Sequence, residues 1–164
     1  MRADIKIGPK TFQERMGRAP VWIKKNITHA DLTEATANTA QTVALITLPK
    51  RHAIVAVQAI LVTAFKNSAD AAFNTTTVSV GDTGDVDRNL TAIETNENGT
   101  EIPLKYELTS TNGVVSQTAD TTVNARFSAM AAKSLVDLDT GSIDFFLCVQ
   151  DFDLLTAGSS EEDS

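Results

Sequence analysis

Cysteine is almost absent from this 164-residue chain: Cys148 stands alone, so no disulfide can form within it. Histidine is nearly as scarce. His29 and His52, with one thiol, are too few ligands for a Cys/His zinc centre. Aromatic residues make up 5% of the chain, with one tryptophan, Trp22, and one tyrosine, Tyr106. That poverty counts against a carbohydrate-binding module, whose sites stack sugars on exposed rings. No apolar run approaches the roughly 18–20 residues of a membrane-crossing helix, so no membrane partner is expected. The opening Met1–Lys6 is charged and lacks an apolar stretch, so no secretory signal is expected there. No set of acid, base and nucleophile is visible, and an enzyme is not expected.

The composition that remains is that of a folded domain. The apolar fraction is 42% and the charged fraction 21%, globular rather than disordered proportions. At this length a compact fold buries about 68–70% of the surface of its unfolded chain, enough for a core without metals or disulfides.

Charge divides the chain. Residues 1–26 carry seven basic and two acidic side chains, a net of +5, while the other 138 carry seven basic and nineteen acidic, a net of −12. A basic arm therefore precedes an acidic body, and the body's field repels phosphate, so direct nucleic-acid binding is not expected. The arm could be solvated, or could contact an acidic surface or its own body. Gly8-Pro9 and Ala19-Pro20 limit it to about one helical turn. It still holds Phe12, Met16, Val21, Trp22 and Ile23, enough apolar surface to dock on something. Candidate partner-binding residues are Arg2, Lys6, Lys10, Phe12, Arg15, Arg18 and Trp22, although Trp22 would equally well start the first strand. The organisation expected is a 1–26 arm, a 27–156 body and a 157–164 acidic disordered tail.

Past the arm the sequence reads as strands. Threonine occurs 22 times, and valine and isoleucine recur in short runs, as suits a pleated, half-buried surface. Strands are expected over 21–29, 41–48, 53–65, 76–80, 90–95, 102–108, 121–130 and 142–152. The run 53–65 is long enough for a helix, but its β-branched content favours a long bent strand. In 121–130, Val123, Ala125, Phe127 and Ala129 alternate with polar residues, a period of two. Phe146 and Cys148, opposite Ile143, Phe145 and Leu147, predict a last strand buried on both faces. Pro103 predicts an edge position for its strand, and Asn98-Gly99 is a hairpin signal. Eight strands without a long helix give an all-β fold, an antiparallel two-sheet sandwich of jelly-roll type with an extended N-terminal arm. An immunoglobulin-type sandwich fits nearly as well, though its Cys-Trp-Cys core is missing.

One loop is rich in acid. Asp82, Asp85 and Asp87 lie within six residues that also hold Gly84, and Gly81 and Arg88 flank them. Such a loop could wrap a hard cation, so a structural Ca2+ is the one candidate cofactor. The spacing is not that of an EF-hand, Arg88 could neutralise Asp85 or Asp87, and Asp and Gly are ordinary turn residues. The histidines read as surface or turn residues and Cys148 as a buried inert thiol.

Two stretches resemble a known family. Ile27-Thr28-His29-Ala30-Asp31-Leu32-Thr33 running on to Gln41–Leu45, and Val78-Ser79-Val80-Gly81-Asp82-Thr83-Gly84-Asp85-Val86-Asp87-Arg88, are similar to segments of small virion structural proteins of tailed bacteriophages. The resemblance implies a β-sandwich used as a head decoration (cement) protein that stabilises the capsid by bridging major capsid protein subunits. It implies a place on the virion, synthesis in the host cytoplasm and no catalytic residues. A homo-oligomer, a trimer by analogy with other jelly-roll shell parts, goes with it. The alternative is a receptor- or carbohydrate-binding module of a phage spike or tail. The basic arm lies outside the resemblance, and its tethering role rests on charge alone.

Overall fold

A computed structural model describes residues 19–71, 76–96, 104–108 and 117–152. Eight strands follow one another: β1 Val21–Thr28, β2 Gln41–Leu48, β3 His52–Lys66, β4 Thr77–Gly81, β5 Leu90–Glu94, β6 Leu104–Leu108, β7 Thr121–Phe127 and β8 Thr140–Asp151. The only helical pieces among the described residues are two 3-10 turns, His29–Asp31 and Leu135–Asp137. Each expected strand is present, with boundaries moved by a few residues at most.

The strands form two four-stranded antiparallel sheets, ordered β1-β8-β3-β6 and β2-β7-β4-β5. The pairs β1–β8, β2–β7, β3–β6 and β4–β5 are those of one long antiparallel ribbon wound back over itself. That winding makes the sandwich a jelly roll. β5 and β6, whose sequences flank Asn98-Gly99, belong to different sheets and are not hairpin partners; Asn98-Gly99 itself lies outside the described residues.

The inner faces alternate as the period of two requires. Val57, Ala59 and Leu61 of β3 stand in register with Leu147, Phe145 and Ile143 of β8, and all six are buried. The small Ala59 stands beside the large Phe145 on the inner face of the same sheet, so their volumes complement each other along that face. Val123, Ala125 and Phe127 of β7 and Val78 and Val80 of β4 close the core from the second sheet. Phe65 and Phe127, one from each sheet, tilt against each other with ring centroids 5.3 Å apart. Each large side chain so buried contributes about 1.5–3 kcal/mol relative to exposure.

The 15 residues of β3 are not straight. Its register against β8 shifts at Ile54/Ala56, Leu61/Thr63 and Thr63/Lys66, and each bulge bends and twists the strand. The bends carry its end to the other sheet, where the Phe65 N–H donates to the Thr95 carbonyl at 2.7 Å. β8 is central in its sheet, with Cys148 buried on the outer face. β6 is an edge strand, as Pro103 predicts.

The boundary expected at residue 26 falls inside β1. Residues 21–26 pair with β8 in unbroken register, so they belong to the sandwich. Any tether is therefore confined to residues before Val21.

Candidate functional site

Three places could carry function: the β1 edge, the acidic loop, and a cavity beside that loop. Of the arm residues, Arg2, Lys6, Lys10, Phe12, Arg15 and Arg18 lie outside the described residues. Trp22 is described, on β1, and is 49% exposed, with Val21 beside it at 59%. Its register partner is Cys148. Farther along the same face, the Lys24 ammonium lies 2.7 Å from Asp144 Oδ2 and 5.6 Å from the centre of the Phe146 ring. Asn26 Nδ2 donates to Asp144 Oδ1 at 2.8 Å and to Ser142 Oγ at 3.0 Å. Burial pushes the Asp144 carboxyl up, but the bonds from Lys24 and Asn26 and the Lys24 charge outweigh it and hold the carboxyl below its ordinary range. This face thus has an apolar end at Trp22 and a tied-down polar end at Asp144.

The acidic loop is a self-supporting turn. Asp82 Oδ1 accepts the N–H groups of Gly84 at 2.8 Å and Asp85 at 3.0 Å, the Asx arrangement that lets aspartate start a tight connection. Asp82 Oδ2 lies 2.9 Å from Arg88 Nε. That N–H is not aimed at the oxygen and makes no aligned hydrogen bond, so the contact is an ion pair. Arg88 neutralises the Asp82 carboxylate. Asp82, Asp85 and Asp87 are not brought together, and among the described residues no three acidic, histidine or cysteine side chains gather to hold a metal ion. The loop is pinned to the outer face of the second sheet: Ser79 Oγ donates to the Val86 carbonyl at 2.9 Å. A Cβ on Gly81 would lie 2.1 Å from the Asp85 carbonyl oxygen and 2.8 Å from the Asp87 nitrogen, so only glycine lets the loop lie this close.

Between loop and sheet lies a cavity of about 220 Å³ lined by Thr42, Gly81, Asp82, Thr83, Val86, Asn124 and Arg126. It is below the ~300–1,000 Å³ of typical ligand pockets. Its lining includes no aromatic side chain. Residue spacing gave no hint of it, because Thr42, Asn124 and Arg126 come together only through the β2–β7–β4 register.

The remaining chemistry-bearing residues are structural. His52 Nδ1 lies 3.2 Å from the Lys50 carbonyl at the β2–β3 turn, and His29 opens the first 3-10 turn. Burial pushes the Cys148 thiol up, which keeps it protonated and unreactive. Asp139 accepts both the N–H and the hydroxyl of Ser68, and these bonds hold its carboxyl below the ordinary range.

No protein-family model matches the chain, and no curated protein sequence does. Two solved chains are similar in fold. One belongs to the structure titled Cyanophage Pam1 capsid asymmetric unit, with a TM-score of 0.56 and 18% identity over 81% of this chain and 86% of that one. The other belongs to the acidic stable capsid structure of Helicobacter pylori bacteriophage KHP30, with a TM-score of 0.46 and 16% identity over 80% and 89%. The first likeness is one of fold; the second, below 0.5, is looser.

Proposed function

We propose that this chain is a structural protein of a bacteriophage virion, one that decorates the capsid and stabilises it by bridging subunits of the major capsid protein. The observation that carries the proposal is the jelly roll and its likeness to a chain in the Cyanophage Pam1 capsid asymmetric unit. Both coverages exceed four-fifths, so that neighbour is about as long as this chain, the size of an accessory component built from one sandwich.

The physics suits the task. Shell subunits under internal genome pressure separate unless something spans their joints. Many identical copies each add a modest interface, and symmetry multiplies the effect. A sandwich closed by the Phe65–Phe127 core supplies a rigid body. A basic arm before Val21 can reach along a neighbouring surface without enlarging that core. Arg2, Lys6, Lys10, Phe12, Arg15 and Arg18 are its contact candidates, and Trp22 continues them onto the sheet. Assembly as a homo-oligomer, a trimer by analogy, extends the proposal. A receptor- or carbohydrate-binding module ranks below it, since the cavity beside the acidic loop is small and has no ring on which to stack a sugar.

The test is addition of purified protein to particles that lack it. The full chain should bind and raise the temperature at which particles rupture. A chain lacking residues 1–20, which keeps all of β1, should fold and fail to attach. Failure of the full chain to bind would overturn the proposal; full attachment of the shortened chain would overturn the tether.

A further inference from the structure

The two sheets have four edges: β2, β5, β6 and β1. β2 is broken by a bulge between Ala44 and Ile46, and β5 has five residues beside a register shift. β1 differs. It runs eight residues in unbroken register with β8, from Val21↔Val149 to Thr28↔Ser142. Trp22, Lys24, Lys25 and Asn26 on it are all exposed, so no other described segment lies over it. The Thr28 N–H donates to Asp31 Oδ2 at 2.8 Å and therefore faces away from β8. N–H and C=O groups alternate in direction along a strand. Those of Asn26, Lys24 and Trp22 consequently face the same open side, without protein partners among the described residues. A long, regular, open edge is a template for another strand.

The charges select what can pair there. Two copies joined edge to edge, antiparallel about the middle of β1, would set Lys24 or Lys25 of one opposite the same lysine of the other, an unfavourable like-charge pair. The chain's own arm, also basic, meets the same objection. Lys24 is already held by Asp144. Lys25 is exposed and has no ion-pair partner among the described residues. The unfilled requirements are a carboxylate opposite Lys25 and an apolar side chain against Trp22.

We infer that the open edge of β1 receives an extended, acid-bearing segment of the capsid shell protein as a fifth strand of the β1-β8-β3-β6 sheet. The inference rests on the decoration proposal and names its contact. Main-chain bonds at Trp22, Lys24 and Asn26 give the segment its register, Lys25 chooses its charge, and Trp22 anchors one end.

The test uses the full chain and particles lacking it, with bound protein quantified against the shell protein by mass spectrometry. Lys24→Pro removes the outward N–H, whereas Lys24→Met removes the same charge and keeps it. The proline variant should bind about tenfold more weakly than the methionine variant, the scale of one lost hydrogen bond to a fixed strand. Lys25→Glu should weaken binding at least as much, and Lys25→Arg should preserve it. Circular dichroism establishes that each variant is folded; if Lys24→Pro is not, the Lys25 pair carries the test. A benzophenone side chain at position 22 should cross-link to an acidic stretch of the shell protein. Cross-links to a second copy of this chain would overturn the inference. So would equal binding by Lys24→Pro and Lys24→Met, or wild-type binding by Lys25→Glu, and either result would leave the decoration proposal standing. Failure of the wild-type chain to bind would bring down both.

Discussion

Gly141→Ala is the most informative single substitution in the fold. Gly141 lies at the start of β8, where the register against β3 jumps between Thr63 and Lys66. Its φ of +143° is a conformation that essentially only glycine adopts, and a side chain there costs about 1–3 kcal/mol. An added Cβ would also stand 2.3 Å from Phe65 Cδ1 and 2.5 Å from Cγ. Phe65 cannot yield freely, because it is fully buried and packed on Phe127. Overpacking of this kind costs about 1–3 kcal/mol. The sum, about 2–6 kcal/mol, is a large part of the ~5–15 kcal/mol of a typical domain. Urea unfolding followed by circular dichroism should show the midpoint falling with the slope unchanged. Phe65→Leu combined with Gly141→Ala should recover the steric part and leave the backbone part, a coupling of about 1 kcal/mol or more. A loss below about 1 kcal/mol for Gly141→Ala would refute the reasoning on both counts.

Other outcomes follow from the ties described above. Asp139 and Asp144 titrate below their usual 3.8, so their stabilisation is complete above that pH and is lost as pH falls through the lower folded values. Asp139→Asn should therefore flatten the acid limb of a plot of stability against pH and leave its neutral region parallel to wild type; an unchanged limb would contradict the Ser68 bonds. Calcium should not raise Tm, because Arg88 occupies the position opposite Asp82. A concentration-dependent rise in a calorimetric titration would show a cation site in the 82–88 loop. Cys148 should react slowly with a thiol reagent in the folded protein, and Trp22→Ala, which opens the register position opposite it, should speed the reaction severalfold. Equal rates would mean that Trp22 does not shield the thiol.

The strands were legible because β-branched residues and the period of two are local signals. Val123, Ala125 and Phe127 announce their inward face within one strand. The bends of β3 were less so, since a bulge depends on which residue of β8 stands opposite. The separation of β5 and β6 into different sheets was hidden for the same reason: a turn signal such as Asn98-Gly99 reports local geometry and says nothing about which sheet comes next. The arm boundary was set by charge, and Lys24 and Lys25 were counted with it, although the β1–β8 register makes them sheet residues. The acidic loop was legible as a turn with Arg88 as a counter-ion, but the structure pairs Arg88 with Asp82, not with the expected Asp85 or Asp87, because Asp82 also accepts the Gly84 and Asp85 N–H groups. The open edge of β1 was not, because an edge is defined by the strand that is missing beside it.

Copy number tests the central claim most directly. Particles would be purified from the proposed phage source of this chain, and the chain quantified against the major shell protein by mass spectrometry. Decoration predicts a number comparable to that of the shell protein. A number far below it would place the chain in a spike or tail, and its absence from particles would contradict a virion role altogether.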